Sequence, residues 1–431
     1  MEQKKLTVAD IDKVRHIEGF PIAKDEDIIA LSRPPYYTAC PNPFIGDFIR
    51  ENGTPYDEAT DDYHREPFAA DVSEGKNDPI YNAHSYHTKV PHKAIMRYIL
   101  HYTKPGDIVF DGFCGTGMTG VAAQMCGCPD PGFKAQIERE MPGVQWGARR
   151  AILNDLSPAA TFITANYNAH WDVTEFEKQA IDLLKRCESE YGWMYETIHV
   201  QNGQPIYTID GTPQKGRIVN VIWSDVFICP ACSGKIVFWH DAIDHEKGCV
   251  QDVFKCPHCG SDLTKRDVEH ETVTEVDPYT QQTYTHTKTI PVVINYVIGT
   301  KRYAKTPDDY DFAVLDRIEK TCSGLWVPVC DWPEGEKTKE PKNAGITSIH
   351  NMYTHRNLIA LSYIRSIATE YEQLYLMFLL SGMIVRSTRM SRVHIKKFFF
   401  GGGGWNVSRA TWFTNCAMTW FTPPRSGGGR E

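Results

Sequence analysis

The chain holds 431 residues, 42% hydrophobic and 23% charged, with a formal net charge of −8. One hydrophobic core rarely grows past roughly 250 to 300 residues, so two or three domains are expected, and the mixed composition excludes a disordered or fibrous chain in favour of a soluble α/β protein. The acidic balance weighs against a protein that grips nucleic acid over its whole surface, yet leaves room for a local basic groove. The opening MEQKKLTVAD lacks the apolar stretch of a signal peptide, and no run reaches the roughly 18 apolar residues of a membrane span. The nearest approach is LYLMFLLSGMIV at 374–385, so a cytoplasmic, non-membrane protein is the default expectation. Thirteen cysteines are an odd number. Four of them stand in two C-x-x-C pairs, which suits metal ligation in a reducing compartment better than a disulfide framework.

Residues 1–80 are rich in Pro, Asn, Asp and Tyr and read as an arm or cap of irregular segments around a short helix. From 90 to 103, Ile95, Met96, Ile99 and Leu100 recur at helical spacing; Lys104, Pro105 and Gly106 stop that helix, and DIVFD starts a strand. Helix resumes at MTGVAAQMCG. A second unit of this kind follows at 151–168, with a short apolar strand, Asp155 at its end and a helix entered through Ser157 and Pro158. Two successive strand-to-helix units predict a mostly parallel sheet with a ligand near the carboxyl ends of its strands. Residues 81–200 are assigned to that core, including an amphipathic helix over 174–195. Residues 201–300 change character, because the β-prone runs RIVNVIWSDVFI and PVVINYVI flank the paired cysteines, as in an inserted β-rich module. Helical patterning returns at 355–385, inside a segment 301–405 that ends in a basic stretch and four glycines; the tail 406–431 is assigned to no domain.

The hinge DGFCGTGMT, residues 111–119, sits where a buried strand meets a helix. Glycines there allow tight backbone conformations and close approach of a ligand, while the helix start supplies unpaired N–H groups and partial positive charge. The turn lacks the lysine of a nucleoside-triphosphate loop and the spacing of a dinucleotide fingerprint. A carboxylate at the next strand end suits ribose hydroxyls, which makes Asp155 a candidate, with helix capping as its alternative and Ser157 as the better cap. Asp111 either orients the turn or meets an amino group of the ligand. Phe113 walls a pocket or packs beneath the turn, and Cys114 is a small filler.

Cys229 and Cys232 are followed after 23 intervening residues by Cys256 and Cys259. Two such knuckles place four thiolates tetrahedrally around Zn²⁺, and a closed four-thiolate site leaves no position for substrate or activated water. Structural zinc is therefore expected, with Cys249, His240, His245 and His258 not needed as ligands. In VRSTRMSRVHIKK at 385–397, Arg386, Arg389 and Arg392 are three residues apart, and Lys396 and Lys397 extend the cluster. On a helix these arginines share a stripe that either meets phosphates or forms an ordinary solvated face.

The glycine turn resembles motif I of S-adenosylmethionine-dependent methyltransferases, in the D-P-F-x-G-S-G-T-T form of enzymes that methylate exocyclic amino groups of DNA bases. Gly112 stands where that form has proline, and residues 88–120 as a whole are similar to the family's approach to the loop. The resemblance covers roughly residues 30–405. It implies a Rossmann-like methyltransferase sheet carrying an inserted zinc ribbon, with S-adenosyl-L-methionine held by Asp111, Phe113, Gly115, Thr116, Gly117 and Thr119. Asp155 takes the place of the family's second acidic motif. THRNL at 354–358 looks like the T-x-R-N-L segment of large members with a zinc ribbon. The implied activity is methyl transfer to adenine N6, favoured over cytosine N4, in DNA.

Such enzymes also resemble one another in a D/N/S-P-P-Y/F motif that contacts and stacks the flipped base. No good match lies downstream of the glycine turn, and the imperfect candidates are RPPY at 33–36, NPF at 42–44 and TPPR at 422–425. Arg33 cannot accept a hydrogen bond from a base amino group, because guanidinium has no acceptor. Catalytic residues stay unassigned. The expectation is the cofactor-binding and zinc-ribbon part of a longer enzyme, its catalytic portion absent or on another chain. The alternatives are a non-catalytic zinc-ribbon nucleic-acid-binding protein on a methyltransferase scaffold and an RNA methyltransferase. A base-C5 enzyme is disfavoured, since Cys40 precedes the wrong element.

Overall fold

The computed structural model describes residues 5–32, 40–86, 88–321, 324–336, 338–371, 373–400 and 405–407, so that RPPY at 33–36, TPPR at 422–425 and the tail from 408 lie outside the described residues. The chain divides into two compact units, 1–172 and 173–431.

The first unit opens with the short helices Val8–Val14, Asp25–Leu31, Ile45–Asn52 and Pro79–Asn82, where Leu6, Ile11 and Ile28 bury a small core of their own. It continues through α1 (His92–Tyr102), β1 (Ile108–Asp111), α2 (Met118–Met125), α3 (Pro131–Glu140), β2 (Arg150–Leu153) and α4 (Pro158–Asn168). The apolar stripe expected on α1 is realised, with Met96, Ile99 and Leu100 buried against Ala122, Ala123, Cys126, Phe133 and Ile137. The long spacing between the two strands is taken up by α3, which the Asp130 side chain caps by accepting from the Phe133 N–H, with Pro131 at the first helical position. Arg97, on the buried side of α1, ion-pairs with Glu74 and Glu140 at 2.5 and 2.6 Å. β1 and β2 pair in parallel, in register from Ile108 opposite Arg150 to Asp111 opposite Leu153. Their carboxyl ends therefore lie side by side.

The second unit begins with α5 (Val173–Tyr191) and is built on a six-stranded sheet. Its strands are β3 (Glu196–Ile198), β4 (Lys215–Ile228), β5 (Lys235–Val237), β6 (Glu269–His270), β9 (Thr289–Ile298) and β10 (Lys301–Lys305), with the separate hairpin β7 (Thr272–Val276) and β8 (Thr283–Thr287) inserted before β9. The path runs β6-β4-β9-β10, with β3 and β5 also pairing β4, and every pairing is antiparallel. β4 alternates buried and exposed residues along most of its length, which marks a sheet covered mainly on one face. Ile222, Trp239, Ile243 and Val292 form one part of its core.

The parallel pairing expected of the two strand-to-helix units holds for β1 and β2, but the sheet does not extend beyond that pair among the described residues. The protein is mixed α/β, and the larger sheet is antiparallel because its long strands connect without crossover helices. The helical segment contains α6 (Asp309–Glu319), α7 (His355–Glu370), α8 (Leu374–Ile384) and, after a turn and a short strand, α9 (Ile395–Phe400). Among the described residues no helix is long and apolar enough to cross a membrane. The apolar run at 374–385 forms α8, with Tyr375, Leu376, Leu380 and Ile384 buried.

Ile137 has no exposed surface. Ile137→Ala should therefore cost about 2–5 kcal/mol in urea unfolding, and a change near zero would mean that α3 does not belong to this core.

Candidate functional site

The glycine turn is held by side chains from both strand ends. Gly115 and Gly117 take φ of +55° and +72°, the left-handed region that side chains with a Cβ disfavour. At Gly117 a Cβ would also come within 2.6 Å of Thr164 Cγ2 and 2.7 Å of Asn168 Nδ2. Asp111 accepts from the Phe113 N–H at 3.2 Å and from the Thr119 hydroxyl at 2.6 Å. Asp155 accepts from the Gly115 N–H at one oxygen and the Ser157 N–H at the other, both at 2.9 Å. Ser157 in turn caps α4 through the Ala160 N–H. Of the two roles open to Asp155 in the sequence, capping falls to Ser157, while Asp155 ties the turn to the start of α4.

From α4, the Thr164 hydroxyl donates to the Gly115 carbonyl and the Asn168 amide to the Gly117 carbonyl, each at 3.1 Å. Thr164 and Asn168 were not legible as site residues. Their one signal is the four-residue spacing that puts both on one face of a helix. Thr116 and Cys114 are buried, and burial pushes the Cys114 thiol up to about 11. That disfavours the thiolate a nucleophile needs and agrees with a filler. Phe113 is 79% exposed and does not pack beneath the turn; Leu156 is exposed at the second strand end. Unspent acceptor capacity on Asp155, unpaired N–H groups in the first turn of α2 and an exposed aromatic ring suit a ligand that joins hydroxyls to an apolar ring system.

Tyr86 also reaches this turn, and sequence reasoning passed over it. A Cβ on Gly115 would lie 3.4 Å from its ring. The segment before α1 is anchored by Lys89, whose ammonium donates to the carbonyls of Tyr81 and His84 and to the Tyr167 hydroxyl at 2.7, 3.2 and 2.9 Å. Burial pushes this ammonium down to about 8.

In the second unit, the Sγ atoms of Cys229, Cys232, Cys256 and Cys259 all lie within 4.8 Å of one another, a cluster that could hold a metal ion. Each knuckle turns through backbone bonds, from the Ser233 N–H to the Cys229 carbonyl and from the Gly260 N–H to the Cys256 carbonyl. The His258 backbone N–H points at Cys256 Sγ at 3.4 Å. Cys229 and Cys256 are buried with Phe227, Ile236, Phe254 and Leu263. The donor chemistry fits zinc. His258 and His245 face the backbone carbonyls of Lys235 and Trp239 instead of the cluster.

The basic residues do not form the helical stripe considered from their spacing. α8 ends at Ile384, which leaves Arg386 exposed and Arg389 in the turn that follows. Arg389 bonds the Met352 carbonyl through its N–H and approaches the Thr289 hydroxyl at 3.5 Å. Burial lowers its pKa, while Tyr284, Glu275 and Asp225 favour its charge. Arg389 therefore faces the protein's own acidic groups. The Arg392 backbone lies in the strand Ser391–Val393. Lys396 and Lys397 are exposed on α9, whose Phe398 and Phe399 pack on Trp239 at 5.5 and 5.7 Å between ring centres.

The THRNL segment is explained by packing. Thr354 caps α7, Asn357 bridges the Tyr195 hydroxyl and the Ser387 carbonyl, and Arg356 is buried over the Tyr195 ring. In NPF, the Asn42 side chain closes a turn on the Phe44 N–H at 2.9 Å.

If the cysteines hold zinc, chelation should release about one equivalent per chain and raise amide hydrogen exchange across 226–270, because a structural zinc contributes directly to local folding. Cys256→Ser should do the same without chelator. Protein purified with no bound metal but with native protection there would contradict this.

No curated protein and no solved structure matches the chain. Residues 33–128, which run from the first residue of RPPY through the glycine turn and α2, match the family model described as DNA methylase, for N6 and N4 methylation.

Proposed function

We propose that this chain binds S-adenosyl-L-methionine at the glycine turn and acts in methyl transfer to an exocyclic nitrogen of a DNA base, adenine N6 before cytosine N4. The observation that carries the reading is the turn itself. Asp111 and Asp155 stand at adjacent strand ends, and the turn and Asp111 lie inside the segment that matches the DNA methylase model. Asp155 would accept from ribose hydroxyls with its remaining lone pairs, while the first turn of α2 and the rim residue Phe113 would meet the rest of the molecule. When bound, the cofactor supplies an electrophilic methyl group.

The match also supports reading RPPY as the element that meets the target base, since one family segment spans it and the glycine turn. Tyr36 would stack on the flipped base. Arg33 can donate but not accept, so the target amine has to find its acceptor on a backbone carbonyl or another side chain. This departure is what favours the second reading, a donor-binding scaffold that holds nucleic acid without modifying it. The four-cysteine module would be a structural zinc ribbon, and Lys396 and Lys397, exposed on a helix packed against Trp239, are the best placed of the basic residues to meet a phosphate backbone.

Incubation of the chain with labelled donor and unmethylated genomic DNA, followed by nucleoside analysis, should yield N6-methyladenine. N4-methylcytosine would move the base assignment, and product on RNA alone would move the substrate class. Donor binding with no product would leave only the scaffold reading. Asp155→Asn should weaken donor binding roughly 10- to 150-fold, the equivalent of about 1.5–3 kcal/mol for hydrogen bonds to a charged group; equal affinity removes its role. Tyr36→Ala should suppress methylation while donor affinity stays within about twofold, because stacking worth ~1–3 kcal/mol is lost on the base alone.

A further inference from the structure

The Tyr86 ring lies against Gly115 where the donor is expected. A Cβ built on Gly115 would stand 3.4 Å from Tyr86 Cε1 and 3.7 Å from Cδ1, which is ordinary van der Waals contact and leaves no thickness for a second molecule between ring and turn. The phenol hydroxyl interacts with the Ser157 side chain, and the Asp155 charge bears on it. The tyrosine therefore spans from the glycine hinge to the acidic strand end. An aromatic ring and a hydroxyl are also the two kinds of group that a nucleoside presents.

The segment that carries this ring is fixed at its base and strained nearby. Lys89 and Tyr167 together hold the carbonyls of Ile80, Tyr81 and His84, so α4 anchors the chain just before Tyr86. Thr88, a β-branched residue, takes φ of +60°, a costly conformation that persists only where the surroundings impose it.

We propose that Tyr86 is an internal competitor for the donor site, a latch that occupies the nucleoside position until S-adenosylmethionine or its demethylated product displaces it. The inference rests on the donor-binding reading above and adds to it a closed state. Apparent affinity then falls by the fraction of molecules in which the latch is open. Release of Tyr86 uncovers the Gly115 backbone and frees the Ser157 side chain from the phenol.

Calorimetric titration of S-adenosylhomocysteine into the full, zinc-loaded chain, as wild type, Tyr86→Phe and Tyr86→Ala, tests this. A latch closed in about 90% of molecules predicts roughly tenfold tighter binding by Tyr86→Ala, with Tyr86→Phe in between because it keeps the ring and loses the hydroxyl contact. In the wild type, ligand should raise hydrogen exchange around 83–86 while lowering it around 112–119. Equal or weaker binding by Tyr86→Ala, beside normal binding by the wild type, would overturn the latch and make Tyr86 a wall of the pocket, leaving the donor reading intact. No binding by any of the three, each with the wild-type melting curve, would remove the donor reading and the latch with it.

Discussion

The candidate site depends on one hydrogen bond, from the Gly115 N–H to the Asp155 carboxylate. Its donor belongs to the turn after β1 and its acceptor to the chain after β2, so it forms only because the two strands run parallel in the register that sets Asp111 opposite Leu153. The same carboxylate takes the Ser157 N–H, which orients α4. From α4 come Thr164 and Asn168, which hold the carbonyls of the same turn. Hinge, acid and helix thereby constrain one another, and the glycines at 115 and 117 are what allow the backbone to close so tightly.

This economy of contacts has a chemical consequence. Asp111 and Asp155 both accept from the protein's own N–H and O–H groups, which fixes their direction. A carboxylate has about four acceptor positions, so Asp155 can serve the turn and a ligand hydroxyl together. Asp111 is directed inward at Phe113 and Thr119, which makes it a support of the turn more than a ligand contact. The exposed Phe113 and Leu156 add apolar surface beside a mostly polar hinge, a mixture common in small-molecule sites.

The second unit solves a different problem. Its four-cysteine module is small, with two of the cysteines inside the local apolar core and two at the surface. Trp239 then serves as the platform on which α9 rests, so the aromatic face of Phe398 and Phe399 turns inward while Lys396 and Lys397 stay in water.

Some of this was legible in the residues themselves. The helical stripe of Met96, Ile99 and Leu100, the glycine hinge, the cap at Ser157 and the two cysteine knuckles each depend on neighbours a few positions away, where spacing alone reports geometry. Arg386 and Arg389 show where such reading stops. Three-residue spacing suggests one helical face, but the helix ends at Ile384 and burial directs Arg389 inward. Tyr86 lies 29 residues before Gly115 and no periodicity joins them. The sequence by itself determined which chemical groups exist and the local turns that carry them. Only the tertiary structure decided which groups meet, because the parallel register of β1 and β2, the antiparallel closure of β4 on β9 and the docking of Tyr86 arise from long-range packing, whose stability is shared among many residues and written in no single motif.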